Sequence, residues 1–153
     1  MKSLEMLIYP PFVMLGAGAL MRLLAALFPT LTVAAISNST VAIIIGLIGL
    51  AAGAAGAIAL SRARTTADPK NPGGASALVA AGVYQYTRNP MYLGGLIVLI
   101  GWAVYLANIS SLLGIAAFIV YMNRYQIEPE ERFLKQNFGA DYEAYCAKVR
   151  RWI

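Results

Sequence analysis

The sequence predicts an all-α integral membrane protein with about four transmembrane helices, the last two a short hairpin, followed by cytoplasmic C-terminal helices. Of the 153 residues, 59% are hydrophobic and only 12% are charged, whereas soluble domains carry about 25% charged residues. Long apolar runs recur along the chain, and runs of this kind are typical of helices that cross a bilayer. Basic residues cluster at the N-terminus, in the central loop and in the C-terminal tail, whereas residues 28–40 and 108–111 carry no charge. This pattern is typical of cytoplasmic segments alternating with external ones.

Residue counts exclude several kinds of active site. The chain has no histidine, and Cys146 is its single cysteine. An internal disulfide and a cysteine-based zinc site are therefore excluded, as is every triad that uses histidine. We expect no metal centre, and a proton acceptor would have to be a carboxylate or a tyrosine.

The first apolar run, residues 7–28, is longer than the ~7–15 apolar residues of a signal peptide, and it predicts a transmembrane helix. Pro10 and Pro11 should start or kink this helix. Arg22 lies inside the run. We expect its long stem to carry the charge to the membrane interface, and the alternative is a functional intramembrane arginine.

The second run, residues 41–60, predicts a helix that packs closely against another one. Its glycines recur three or four residues apart, which places them on one helix face: Gly46, Gly49, Gly53 and Gly56. Small residues on one face let two helix backbones approach each other. We interpret this stripe as packing, with no chemical role.

The third and fourth runs, residues 92–107 and 112–125, are separated by a gap so short that an antiparallel hairpin is expected. Such a hairpin returns its two outer ends to the same face of the membrane. Residues 128–137 then read as an amphipathic cytoplasmic helix that ends at Gly139, and residues 141–149 read as another.

The chain is predicted to be a single membrane domain of four parts. These are two transmembrane helices in 1–60, a cytoplasmic loop with a polar motif in 61–91, the hairpin in 92–127 and a cytoplasmic tail in 128–153. Residues 76–81 could form a short interfacial helix that ends at Gly82. The net charge of +5 then signals cytoplasmic termini and contact with anionic membrane lipids. We expect no nucleic-acid partner.

The most informative segment is residues 82–94, a polar and aromatic stretch directly against an apolar run. Arg88 carries a planar fork of donors suited to a carboxylate or phosphate. Asn89 precedes Pro90 and is restricted to an extended backbone, and the proline can open the third helix. Tyrosines such as Tyr92 offer flat faces for an adenine ring or a sulfonium cation. The alternative interpretation is an interfacial aromatic belt with a phosphate-contacting arginine.

A second polar cluster follows the hairpin and contains Glu130 and Glu131. Adjacent residues diverge by about 100° around a helix, so these carboxylates are not expected to act as a paired acid and base. One could bind ribose hydroxyls or an amine while the other pairs with Arg124 or Arg88. The alternative is a solvated acidic helix start. The hairpin should bring the two clusters together as one site.

These elements together resemble the isoprenylcysteine carboxyl methyltransferase and phospholipid methyltransferase superfamily, particularly its small bacterial members. The resemblance covers residues 66–153. It consists of Gly82-x-Tyr84-x-Tyr86-x-Arg88-Asn89-Pro90-x-Tyr92-x-Gly94, an apolar hairpin, Glu130-Glu131, and Phe138-Gly139-x-x-Tyr142-x-x-Tyr145 before a basic end.

The resemblance implies a cytoplasm-facing pocket for S-adenosylmethionine. The implied cofactor-binding residues are Gly82, Tyr84, Tyr86, Arg88, Asn89, Pro90, Tyr92, Gly94, Glu130 and Glu131. Of these, Arg88, Asn89 and Tyr92 are the candidate catalytic residues. The chain departs from the family at Asn89, where better-studied members carry histidine. Asparagine can bind the cofactor but cannot titrate, so a mechanism that needs a base at this position is in doubt.

The expected function is therefore an S-adenosylmethionine-dependent methyltransferase in a bacterial inner membrane, acting on a lipophilic or prenylated acceptor. Carboxyl O-methylation of an isoprenylcysteine-like substrate is the first expectation, because a carboxylate nucleophile needs no base. N-methylation of a phospholipid amine is the first alternative. Two others are a non-catalytic four-helix membrane protein and a steroid-reductase-like nicotinamide enzyme. The sequence does not determine the oligomeric state.

Overall fold

A computed structural model describes residues 5–65 and 77–153. The described residues form α-helices joined by short 3₁₀ and π-helical turns, which confirms the predicted all-helical class. In chain order the α-helices are α1 (Pro10–Leu27), α2 (Ser39–Arg62), α3 (Pro90–Leu106), α4 (Leu112–Tyr121) and α5 (Glu128–Lys148).

Two of the described helices, α1 and α2, are long and apolar enough to cross a membrane. Pro10 and Pro11 start α1 without kinking it, because the first helical residues need no intrahelical N–H bond. Asn38 caps α2 by accepting a hydrogen bond from the backbone N–H of Val41 at 3.0 Å. Helix α3 is apolar but shorter, with 17 residues.

The glycine stripe of α2 packs directly on α3, as the sequence predicts. A Cβ placed on Gly49 would lie 2.6 Å from the carbonyl oxygen of Gly94, and one on Gly56 would lie 2.9 Å from Cγ of Pro90. The two backbones touch at Gly49 and Gly94 because neither of these residues carries a side chain. The α2–α3 interface is the most extensive one between the described helices.

Helix α1 packs against α3 and α4 around a small apolar core. Met21 is fully buried and lies against Gly114, and Leu99 and Phe118 complete the cluster. The indole N–H of Trp102 donates to the carbonyl of Gly18 at 3.1 Å, which ties α3 to α1. Thus α3 and α4, although adjacent in sequence, pack mainly against α2 and α1 respectively.

A buried asparagine joins the two connections at the end of the helices far from the polar motifs. The Asn108 amide donates to the carbonyl of Phe28 at 2.9 Å and to Oγ1 of Thr32 at 3.0 Å. Its Oδ1 accepts from the backbone N–H and the hydroxyl of Ser110. The turn between α3 and α4 is thereby locked to the segment between α1 and α2.

The helical run after α4 differs from the sequence prediction. Helix α4 continues through a π-helical turn, Met122–Ile127, directly into α5, so no separate helix starts at residue 128. Gly139 interrupts α5 as a kink with φ 49° and ψ −121°. The predicted break between two tail helices at Gly139 is therefore confirmed, and the glycine adopts a backbone conformation that other residues disfavour.

The polar loop before α3 is described only from residue 77 onward. The predicted interfacial helix is not formed, because residues 77–81 are not helical and residue 76 lies outside the described residues. Gly82 has φ of 63° and starts a 3₁₀ turn, Gly82–Gln85, instead of ending a helix. Pro90 is the first residue of α3, as predicted.

Candidate functional site

The structure brings the two polar motifs together at the end of the helices that we call the site end. Glu131 of α5 accepts from Nε and Nη2 of Arg151 at 3.1 and 2.6 Å. The Arg88 guanidinium, just before α3, lies 3.3 Å from Oε1 of the same carboxylate. The Glu131 and Arg88 side chains are 19% and 16% exposed. One carboxylate thus serves two arginines in a partly desolvated place, where charge pairing is strong.

Arg88 is held from several sides and still has bonding capacity. Its backbone N–H donates to the carbonyl of Arg150 at 3.0 Å, and its Nη1 contacts the thiol of Cys146. Its Nε is buried, and within the described ranges it has no hydrogen-bond partner. A buried donor without a partner costs free energy. Because this donor belongs to a cation, an anionic ligand group is its natural partner.

Glu130 points to a different set of partners, as expected for an adjacent helical residue. Its Oε1 accepts from the Tyr92 hydroxyl at 2.5 Å and from the Gln126 amide at 2.6 Å. No cationic side chain among the described residues bonds to it. Burial raises the pKa of Glu130 to about 7, although both hydrogen bonds act to lower it, and the negative charge of Glu131 raises it further.

A polar cavity of about 390 Å³ lies beside the Arg88–Glu131 pair. This volume is within the range of about 300–1,000 Å³ that is typical of small-molecule sites. Its lining consists mainly of charged side chains from α5, together with Arg88: Glu128, Glu131, Arg132, Lys135, Tyr142, Glu143 and Cys146. The cavity can therefore hold a ligand that carries both positive and negative groups.

A second cavity, an apolar groove of about 400 Å³, is lined by α1, α2 and α3 together with Phe118 of α4. Its lining includes Pro11, Met14, Leu50 and Tyr92. Tyr92 lines this groove, and its hydroxyl donates to Glu130, whose sequence neighbour Glu131 lines the polar cavity. The Tyr92–Glu130 hydrogen bond therefore links a residue of the groove to the helix segment that lines the polar cavity.

Other residues of the first motif are placed where they shape the backbone. Gly82 forms the positive-φ turn, and Tyr86 is 78% exposed, away from the paired charges. Tyr84 is buried, and its carbonyl accepts from the Tyr145 hydroxyl at 2.7 Å. For Tyr86 the structure supplies no contact with the site.

The three remaining motif residues join elements. The Asn89 amide donates to the carbonyl of Arg151 at 2.9 Å, so this side chain ties the loop to the C-terminal tail. Pro90 and Gly94 are buried against the α2 glycines. The close contact with α2 explains why position 94 has no side chain.

Several residues of the site carry no distinctive sequence signal. Arg151 belongs to a basic chain end that is typical of a cytoplasmic tail, and Cys146 is a lone cysteine with no motif around it. Gln126 was not singled out, although a lone amide between an apolar run and Glu-Pro-Glu is a detectable signal. Arg124 pairs with Glu128 at 2.9 Å, so it is not the partner of Glu130 or Glu131.

The Glu130 carboxyl should make the folded protein less stable as pH rises. Its folded pKa lies above the ordinary value of 4.5, so the folded state holds the proton more tightly than the unfolded state between pH 4.5 and about 7. Stability should therefore fall across this window, by about 3 kcal/mol when the carboxylate is fully ionised. In Glu130→Gln this pH dependence should disappear, as measured by thermal unfolding of detergent-solubilised protein from pH 4.5 to 8. A Glu130→Gln curve parallel to that of the wild type would contradict the assignment.

The comparison with known families gives one match. The family model described as phospholipid methyltransferase matches residues 37–141, which include both polar motifs. An uncharacterised protein of Haemophilus influenzae is 43% identical over 63 residues, which are 41% of this chain and all of that protein.

Other relatives match through a similar share of the chain. Protein-S-isoprenylcysteine O-methyltransferase B of Arabidopsis thaliana is 40% identical over 72 residues, which cover 47% of this chain and 36% of that protein. The protein-S-isoprenylcysteine O-methyltransferase of Schizosaccharomyces pombe is 36% identical over 72 residues, 47% of this chain and 30% of that protein. The match thus spans about a third of these curated relatives. No solved structure matches.

Proposed function

Because the chain belongs to the phospholipid methyltransferase family, we propose that it is an S-adenosylmethionine-dependent methyltransferase that acts on a lipophilic acceptor at the membrane. The observation that carries the proposal is the Tyr92–Glu130 hydrogen bond, which links an apolar groove to the helix segment that lines a charged cavity. The charged cavity beside Arg88 and Glu131 suits the methyl donor, and the apolar groove that Tyr92 lines suits the acceptor. Membership in the family does not by itself identify the methyl donor or the acceptor, and the experiment below tests both.

The charges of the site fit the donor. S-adenosylmethionine carries a carboxylate, an ammonium and a sulfonium, and when bound it supplies a methyl group on a positively charged sulfur. Arg88 lines the charged cavity and would bind the carboxylate through its guanidinium. Glu130 would face a positive group, because no cation of the described chain neutralises it, and Glu131 would hold the arginines in place. Tyr84 and Tyr92 would frame the adenine or the sulfonium.

The protein's contribution to methyl transfer would be alignment. A direct displacement needs the acceptor atom, the methyl carbon and the sulfur in line, and holding that geometry accounts for much of the rate. Tyr92 lines the groove, its hydroxyl is bonded to Glu130, and it would orient the acceptor's polar group. Asn89 would hold the loop against the tail through its bond to the Arg151 carbonyl, and it need not titrate.

The acceptor that we propose first is the carboxylate of an isoprenylcysteine-like substrate, because the names of the relatives specify O-methylation of an isoprenylcysteine. A phospholipid amine is the second candidate, and a specific observation favours it. Glu130 has a pKa of about 7 and a hydrogen bond to Tyr92 in the acceptor groove. It could attract an ammonium group and take its proton, which an amine nucleophile requires and a carboxylate does not.

The membrane arrangement is part of the proposal. We propose four spans, with α3 and the run that begins with α4 as the shorter pair, and with both termini on the cytoplasmic side of a bacterial inner membrane. The site end would then face the cytoplasm, where the methyl donor is available. Under this arrangement the apolar groove lies at bilayer depth, so a lipid acceptor could enter it sideways.

Methyl transfer from radiolabelled S-adenosylmethionine would identify the acceptor. Purified protein is incubated with phosphatidylethanolamine vesicles in one arm and with a farnesylcysteine analogue in the other. We expect label in one arm: a carboxyl ester loses it on mild alkaline treatment, and an N-methyl product keeps it. Arg88→Gln serves as the control variant and should transfer no label. Folded wild-type protein that labels neither acceptor nor its own lipid extract would contradict the proposal.

A further inference from the structure

Gln126 is the most deeply buried polar side chain at the site end, with 1% of its surface exposed. Its amide Nε2 donates to Oε1 of Glu130 at 2.6 Å. We propose that Gln126 is a positioning residue that holds the Glu130 carboxylate toward the methyl donor. This inference rests on the proposed function, because it deepens the role of Glu130 within it.

The π-helical turn explains how Gln126 reaches its position. Pro129 lies inside the continuous run from α4 to α5, where its missing N–H and its ring prevent a regular bond to the carbonyl of Tyr125 four residues earlier. The helix widens over Met122–Ile127, as helices do at π-bulges, which are frequent at functional sites. The backbone N–H of Met6 donates to the Tyr125 carbonyl at 2.8 Å instead, so this carbonyl still has a hydrogen-bond partner.

Gln126 and Glu130 are four residues apart and contact each other on one face of the run. Within the described ranges, both hydrogen bonds of this carboxylate end on the same oxygen, Oε1: one comes from Tyr92 of α3 and one from Gln126. Oε1 is thereby fixed by the protein, and Oε2 is the oxygen left to meet a ligand. Because the two donors come from different elements, the carboxylate cannot rotate without breaking a buried hydrogen bond.

The two hydrogen-bond donors, Tyr92 and Gln126, also influence the ionisation of Glu130. Besides Gln126, the groups that act on Glu130 are the hydroxyls of Tyr92 and Tyr84 and the carboxylate of Glu131. No positive group is among them, so the two hydrogen bonds are what favours the ionised form. Removing the Gln126 donor should therefore raise the pKa of Glu130 and delay the appearance of its negative charge as pH increases.

The test is the pH dependence of S-adenosylmethionine binding by Gln126→Met, measured by calorimetry from pH 6 to 9. Methionine keeps the approximate size and removes the donor. We expect the binding midpoint to move upward by about one pH unit, with binding about fivefold weaker at pH 7 and near wild type at pH 9. Gln136→Met, an exposed site on α5, is the matched control and should leave the profile unchanged. Uniform weakening at every pH would mean a merely structural role and would overturn the inference.

A second measurement tests the effect of Gln126 on Glu130 independently of the proposed function. The pH dependence of thermal stability of the ligand-free protein reports Glu130 directly, and Gln126→Met should shift it upward by a similar amount. If the wild type binds no S-adenosylmethionine, the proposed function fails, and this shift still decides whether Gln126 controls Glu130. If Gln126→Met does not fold, Gln126→Glu replaces it. The same upward shift is expected, because two carboxyl groups would then share one site, and no shift would overturn the inference.

Discussion

Glu131→Gln is expected to weaken S-adenosylmethionine binding by about 100-fold or more, because removing one partner of a buried ion pair costs roughly 3–5 kcal/mol. The Glu131 carboxylate accepts a bidentate bond from Arg151 and lies 3.3 Å from Arg88. Its loss leaves two arginines close together without their shared anion. The change therefore displaces the cation that would bind the donor's carboxylate, and calorimetry of the purified variant measures the effect.

The matched control for this prediction is Asp141→Asn. It removes one negative charge from the same helix at an exposed position, so it should bind like the wild type. Arg88→Gln should be as defective as Glu131→Gln, since the two residues act as one unit. If Glu131→Gln and Arg88→Gln both bind the donor normally, the polar cavity is not its site.

Gly94→Ala should destabilise the protein by about 3 kcal/mol, the upper end of what overpacking usually costs. A Cβ at this position would lie 2.6 Å from the carbonyl oxygen of Gly49 and 2.6 Å from the backbone nitrogen of Gly53. These are backbone atoms of a packed helix, so they cannot move aside as a side-chain tip could. The α2–α3 contact must open, and the start of α3 that carries Tyr92 moves with it. Thermal unfolding in detergent, together with the yield of folded protein, measures the loss.

The neighbouring glycine provides the comparison. A Cβ on Gly95 would meet Met14 and Phe118 side-chain atoms at 3.5 Å, which is ordinary contact. Gly95→Ala should therefore leave stability unchanged or raise it by up to ~1 kcal/mol through helix propensity. Equal stabilities for the two alanine variants would contradict the packing role assigned to Gly94.

The apolar runs predicted most of the fold because hydrophobic length and small-residue spacing are properties of the local sequence. The glycine stripe of α2 and the start of α3 at Pro90 are confirmed. Which helices pack against each other is not determined by the local sequence. Helix α3 pairs mainly with α2, since complementary glycines allow backbone contact there. The short gap before α4 predicts that α4 follows α3 as a hairpin. It does not determine which helix α3 packs against most.

The ion pairing at the candidate site was partly predictable, because a charged side chain in a site needs a partner of opposite charge. The sequence predicts that one glutamate pairs with Arg124 or Arg88, and the structure pairs Glu131 with Arg88. The contribution of Arg151 could not be read from the sequence, because a basic chain end also serves topology. The burial of Gln126 depends on the π-helical turn, which Pro129 indicates only once α4 and α5 are known to be continuous.

The most direct test of the central claim is a calorimetric titration of folded, detergent-purified wild-type protein with S-adenosylmethionine, with a reduced nicotinamide cofactor titrated in parallel. The account predicts saturable binding of S-adenosylmethionine and of its product, S-adenosylhomocysteine, and no binding of the nicotinamide. Absence of S-adenosylmethionine binding by protein that unfolds cooperatively would contradict it.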